Sequence, residues 1–218
     1  MNSIMEMVCL VCNNIRKNSK PDISFQSLLT NIRKEFRNQG FDIKIKSLRD
    51  SKLEQDEFCV KAYYDPIADH QREVAIEIYI HHNFTKDLLW GNQLHVTSLL
   101  EQVFDATVHE YKHQRQSRKR SYEVFNYSNT YLDDPDEIDA YAVSIAIELC
   151  RSLGKYRALR FIPKFMLLSK LKFNNQYVSP ILQAYVSQFG DTNNPIIKRL
   201  AKKIYVRLHK VDTDYIFM

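Results

Sequence analysis

No apolar run in the sequence is long or unbroken enough to cross a bilayer, which argues for a soluble protein and against a membrane partner. The opening residues, MNSIMEMVCLVCNNIRK, lack a basic leading segment, a long apolar centre and a small-residue cleavage site, so they do not read as a secretion signal. The expected compartment is the cytoplasm. Four cysteines, Cys9, Cys12, Cys59 and Cys150, are too few and too scattered for a disulfide framework. Cys9 and Cys12 form C-x-x-C, but no second pair lies at zinc-ribbon spacing. Val8, Leu10 and Val11 around them favour a core segment over a metal or redox site. Repeats and low-complexity tracts are also absent.

What remains is an ordinary globular composition, 44% hydrophobic and 26% charged over 218 residues. That length predicts one domain spanning 1–218, with a core over about 20–153 and a helical extension over about 154–218. The net charge is +5, and its excess sits in two places. Residues 112–120 hold five Lys or Arg and residues 196–210 hold six. In the second segment Ile197, Leu200, Ile204 and Leu208 form a helical stripe with the basic residues on the other face. Such faces could meet nucleic acid or an acidic partner, though a solvated face over a packed stripe is the plainer reading.

Periodicity predicts an α+β fold. Residues 24–39 carry Phe25, Leu28, Leu29, Ile32 and Phe36 on one stripe, with Ser24 as N-cap and Gly40 past the end. Candidate strands follow at 41–48, 57–64 and 73–82, the last with Val74, Ile76, Ile78 and Ile80 on one face. Short polar turns suggest hairpin-like links in an antiparallel or mixed sheet of at least three strands. Residues 92–114 then read as a buried helix, 115–134 as a loop, and a helix begins at Asp134-Pro135, a cap followed by Pro at the first helical position. Further helices are expected at roughly 155–172, 180–189 (Ser179 cap, Gly190 stop) and 194–210.

Inside the buried helix lies DATVHEYKHQRQ, residues 105–116, with His109, Glu110 and His113 in H-E-x-x-H. Residues four apart share a helix face, so His109 and His113 can present two imidazole nitrogens to one ion. Glu110 can then reach a metal-bound water rather than the metal. A catalytic zinc needs a third protein ligand and an open position. Glu137, 24 positions past His113 at the start of the next helix, is the favoured candidate, because it shares a face with Ala140 and Tyr141. Asp136 and Asp139 are rivals, and Glu137 could instead complete a capping box with Asp134. His81, His82 and His95 read as surface or packed histidines.

H-E-x-x-H followed some two dozen residues later by E-x-x-A on a helix resembles the gluzincin-type zinc metallopeptidases, a group with the minigluzincins, the lethal factor catalytic domain and the ImmA-like peptidases. The likeness covers roughly 109–146, and a helix followed by three strands ahead of it agrees with the family's layout. The resemblance implies a zincin-like fold with Zn2+ held by His109, His113 and Glu137, Glu110 as general base, and a peptide or protein substrate. It also implies a tyrosine upstream of the third ligand that stabilises the oxyanion, a place that Tyr131 fits, with Tyr127 as rival. Relatives commonly have Gly before the second His, where this chain has Lys112. An extended substrate would pair with the edge of the last strand before the motif helix, for which 73–82 is the candidate. Few glycines and many Tyr, Asn and Lys resemble phage-encoded proteins, which would make a virion or host protein the substrate and the host cytoplasm or virion the location. The reading from another class is a non-enzymatic binding protein, a nucleic-acid binder or virion component, with a structural zinc or silent motif and its basic segments 112–120 and 196–210 at work.

Overall fold

Strict alternation over three segments builds one small sheet in a chain that is α+β and mostly helical. The computed structural model describes residues 2–19, 23–84, 89–90, 93–122, 131–167, 179–190 and 192–211. They form two compact units, Ser3–Glu123 and Val124–Met218.

In the first unit, α1 (Asn2–Asn18), β1 (Ile23–Ser24) and α2 (Phe25–Asn38) precede β2 (Ile43–Arg49) and β3 (Phe58–Tyr64). Then come α3 (Pro66–His70), β4 (Ile76–His82), β5 (Leu89–Trp90) and α4 (Gln93–Lys119). The sheet order is β2-β4-β3, with β4 parallel to β2 and antiparallel to β3. A separate two-residue ladder joins β1 and β5. The link from β2 to β3 is therefore no hairpin, because those strands are not neighbours.

The expectation that 73–82 offers a free edge is corrected. Its strand starts at Ile76, leaves Val74 41% exposed, and lies in the centre with both backbone rows paired. Ile76, Ile78 and Ile80 are at most 1% exposed, so the strand with the most continuous β-branched face takes the most buried place. The outer strands carry the lysines that suit an edge, Lys44 and Lys46 in β2 and Lys61 in β3. One backbone group on each is taken by a helix side chain: Arg33 Nε donates to the Ile45 carbonyl at 2.9 Å, and the Val60 N–H donates to Gln102 Oε1 at 3.0 Å.

Against this sheet lie α2 and α4. The α2 stripe is buried residue for residue as its spacing predicts, and Ser24 Oγ accepts from the Ser27 N–H as cap. The helix α1 was not expected from the pattern. It buries Cys9 and Cys12, neither in a disulfide, and Cys12 Sγ reaches the Leu100 carbonyl of α4 at 3.8 Å.

In the second unit, a short 3-10 turn at Tyr131–Asp133 leads into α5 (Pro135–Leu153), α6 (Lys155–Leu167), α7 (Pro180–Phe189) and α8 (Pro195–Lys210). The caps at Asp134, Ser179 and Gly190 stand where the sequence places them. Residues 168–172 of the helix expected at 155–172 lie outside the described residues. Ten residues of α5 are buried, and α5 packs on the α8 stripe of Ile197, Leu200, Ile204 and Leu208, each fully buried. At about 1.5–3 kcal/mol for each buried aliphatic side chain, that contact dominates the unit. Among the described residues no helix is long and apolar enough to cross a membrane.

Candidate metal centre

α4 begins as an ordinary buried helix and changes character midway. Leu99, Leu100, Val103 and Phe104 are at most 1% exposed, and the buried Thr107 hydroxyl satisfies itself on the Val103 carbonyl at 2.7 Å. One turn on, the buried positions become polar: His109 is 8% and Glu110 7% exposed. His109 Nε2 and His113 Nε2 face each other at 3.0 Å, with the ring centroids 4.8 Å apart.

Two imidazole nitrogens bound tetrahedrally at about 2.0–2.1 Å from one zinc would lie roughly 3.3 Å apart. The observed spacing is close to that value, so a cation fits between the rings with little adjustment. The first unit thus supplies two imidazole ligands, and Glu137, the expected third, belongs to the second unit. Two imidazoles and a carboxylate form a donor set that suits zinc. Glu110 lies about 100° around the helix from His109.

What holds the motif in its orientation is a network that the sequence did not announce. α4 runs to Lys119, five residues beyond its expected end, because its last turns have a tertiary partner. Asp69 of α3, 7% exposed, accepts from Arg118 Nε at 2.9 Å and Arg118 Nη2 at 2.7 Å, from Gln114 Nε2 at 2.9 Å and from the Tyr64 hydroxyl at 2.9 Å. Burial pushes the Asp69 carboxyl upward, but the bonds from Arg118, Tyr64 and Gln114 outweigh it and hold the group below its ordinary value. The anchor points at 114 and 118 lie one and five residues past His113. Lys112, the departure from the glycine of relatives, lines a cavity of about 260 Å³ together with Val108, Tyr111 and Arg115.

Glu137 lies in the first turn of α5. The capping-box alternative is not how the helix starts: Asp134 Oδ1 accepts from the Asp136 N–H at 2.7 Å, and the Asp134 N–H donates to the Tyr131 carbonyl at 3.4 Å. Ala140, one turn on, is fully buried. Of the rival ligands, Asp139 is committed to Lys203 at 3.3 Å and Arg207 at 2.8 Å. Tyr131 is 60% exposed, and its hydroxyl accepts from the Tyr141 hydroxyl at 3.5 Å. Partial burial, that hydrogen bond and the Glu137 charge all push its phenol upward, so it stays a donor. Tyr127 lies outside the described residues.

Of the other candidate histidines, His81 and His82 are packed or paired. His81 Nδ1 is 3.5 Å from Asp50, and His82 stacks on Phe84 at 4.8 Å with Nε2 2.9 Å from Ser47. His95 is exposed. Of the residues missed from sequence, Asp69 had one usable signal: Asp65-Pro66 starts α3 with the same cap and proline as Asp134-Pro135.

No family model, no curated protein and no solved structure matches the chain.

Proposed function

We propose that the chain is a zinc-dependent metallopeptidase of zincin-like architecture, in which His109, His113 and Glu137 hold zinc and Glu110 is the general base. The observation that carries this reading is the part-buried pair of imidazole nitrogens 3.0 Å apart on one turn of α4. The buried carboxylate between the two histidines in sequence supports it further, since a chance pair of surface histidines would not bring one.

His109, His113 and Glu137 would hold the zinc, which would supply Lewis acidity and bring the pKa of water towards neutrality. Glu110 accepts the proton of the attacking water and returns it to the leaving nitrogen. Its burial keeps competing bulk water away from that proton. The Tyr131 hydroxyl, protonated at neutral pH, donates to the carbonyl oxygen as charge develops on it. An extended peptide would pair with an outer strand, and β3 is the one that packs on α4.

Metal analysis and cleavage of a mixed fluorogenic peptide library test the reading together. Wild type and Glu110→Gln should each carry one zinc, and Glu137→Ala should lose it. Cleavage should fall about 10²–10⁴-fold in Glu110→Gln, the range for a lost general base. Wild type purified without metal, or Glu110→Gln cutting as fast as wild type, overturns the proposal.

A further inference from the structure

The metallopeptidase reading leaves the basic side of the second unit without a task. α6 carries four Lys or Arg and α8 six, and neither helix contains one Asp or Glu. Some of these have structural work. Lys155 Nζ donates to the Val211 carbonyl at 2.6 Å, and Lys203 and Arg207 meet Asp139. Lys210 sits in the last turn, where the helix dipole favours a cation.

Six remain: Arg157, Arg160 and Lys164 on α6, and Lys198, Arg199 and Lys202 on α8. All six are exposed, and none forms an ion pair among the described residues. Their placement opposes the stability of their own helices. Lys198 and Arg199 lie near the positive end of α8, and Lys198 with Lys202 and Arg160 with Lys164 are like charges one turn apart. Exposed aromatic rings interleave with them: Tyr156 is 73% exposed with Arg160 over its ring at 5.7 Å, and Tyr205 is 39% exposed.

α6 packs on α8, and Lys155 on the last carbonyls of α8 brings the start of one helix to the end of the other. The two charged stripes therefore belong to adjoining helices. An acidic bilayer would be an alternative for an amphipathic basic helix, but the α8 apolar stripe is fully buried in its own unit and cannot turn outward. A rigid surface of unpaired cations and aromatic rings matches a phosphate backbone with bases to stack on. We infer that the outer face of α6 and α8 binds nucleic acid through its phosphates, without reading sequence.

Fluorescence anisotropy with a labelled DNA duplex and a labelled single strand, each of about 20 nucleotides per strand, tests this between about 50 and 200 mM salt. For one of the two probes, log affinity should fall with log salt with a slope of about −3 to −5. Lys198→Gln/Arg199→Gln/Lys202→Gln should reduce that slope by about 2 to 3 and weaken binding roughly tenfold or more at low salt. Arg157→Gln/Arg160→Gln on the other helix should act in the same direction. Glu110→Gln should bind like wild type, which keeps this result separate from the peptidase reading. Absence of binding by wild type, or a slope near zero, overturns the inference. So does binding that survives both multiple variants but is lost in Arg115→Gln/Lys119→Gln, or attachment to phosphatidylserine vesicles with none to either oligonucleotide.

Discussion

Two long helices, α4 and α8, each end in a basic run, and each is gripped by one poorly exposed carboxylate, yet the grips differ. In the first unit the Asp69 side chain is 4% exposed and uses both oxygens on three partners, Arg118, Gln114 and Tyr64. In the second the Asp139 side chain is 14% exposed and takes Lys203 and Arg207 on one oxygen, Oδ1. The apolar pattern explains why. α8 has its rotation fixed along its whole length by buried Ile197, Leu200, Ala201, Ile204 and Leu208, so the ion pair is an addition. Beyond Val108, α4 has no such stripe. Over 109–119 a single aromatic, Tyr111, is its one large apolar side chain, and there the polar clamp replaces the core. A helix that must present polar groups inward gives up the hydrophobic stripe that would orient it, and a buried carboxylate does the orienting instead.

The comparison predicts unequal costs. Asp69→Ala should show the largest, about 2 kcal/mol in urea unfolding, because it leaves the half-buried Gln114 amide and Tyr64 phenol without their acceptor, while the Arg118 guanidinium, on a side chain 57% exposed, can rehydrate. Hydrogen exchange should show protection lost over 115–119 and kept over 98–106. Protection unchanged at 115–119 would mean that something other than Asp69 holds the end of α4. Asp139→Ala should cost less, about 1 kcal/mol, because the apolar stripe keeps α8 in place and Lys203, 43% exposed, rehydrates, which leaves Arg207, 17% exposed, as the one poorly solvated partner. If Asp139→Ala proves the costlier of the two, the clamp rather than the stripe orients α8, and the contrast fails.

The same contrast marks what the sequence could tell. The α2 stripe, the caps at Ser24, Asp134 and Ser179, and the α8 stripe were readable because a local period or a capping residue is written into neighbouring positions. His109, Glu110 and His113 were readable for the same reason, since one helical turn fixes their relation. The end of α4 was not, because residues 115–119 are polar and turn-like by composition and their partner lies 45 to 49 positions away at Asp69. Strand order failed likewise. Alternation gives each strand's faces but not its neighbours, and the isoleucine run of 76–82 beside the lysines of the other two strands is a hint of order that alternation alone does not turn into a pairing. Asp139 illustrates the limit on ligands: spacing alone left it a rival to Glu137, and its partners at 203 and 207 removed it.

A third carboxylate refines the comparison at its weak end. Glu77 projects from the solvent side of β4, where its side chain is 15% exposed, and grips no helix. Lys46 Nζ donates to it at 2.6 Å, the Tyr79 and Tyr63 hydroxyls donate to it, and Lys44 Nζ lies at 3.3 Å. The Lys46 bond first, and then that of Tyr79, hold its carboxyl down at about 2 against burial, which acts the other way. A carboxyl lowered in the folded chain contributes stability above its unfolded value, about 4.5, and loses that contribution as pH falls towards about 2. Lys44 and Lys46 are 57% and 36% exposed, so solvent screens the pair and the contribution should be about 0.5 kcal/mol despite the many partners. Urea midpoints of wild type and Glu77→Gln should therefore differ slightly at pH 6, with wild type the more stable, draw together below about pH 4.5 and converge only near pH 2. A gap that stays constant with pH would mean that the glutamate acts through packing of the Tyr63 and Tyr79 rings, stacked at 5.8 Å, rather than through its charge. A gap as large as that of Asp69→Ala would mean that the number of partners, not their distance from solvent, sets what a carboxylate contributes in this fold.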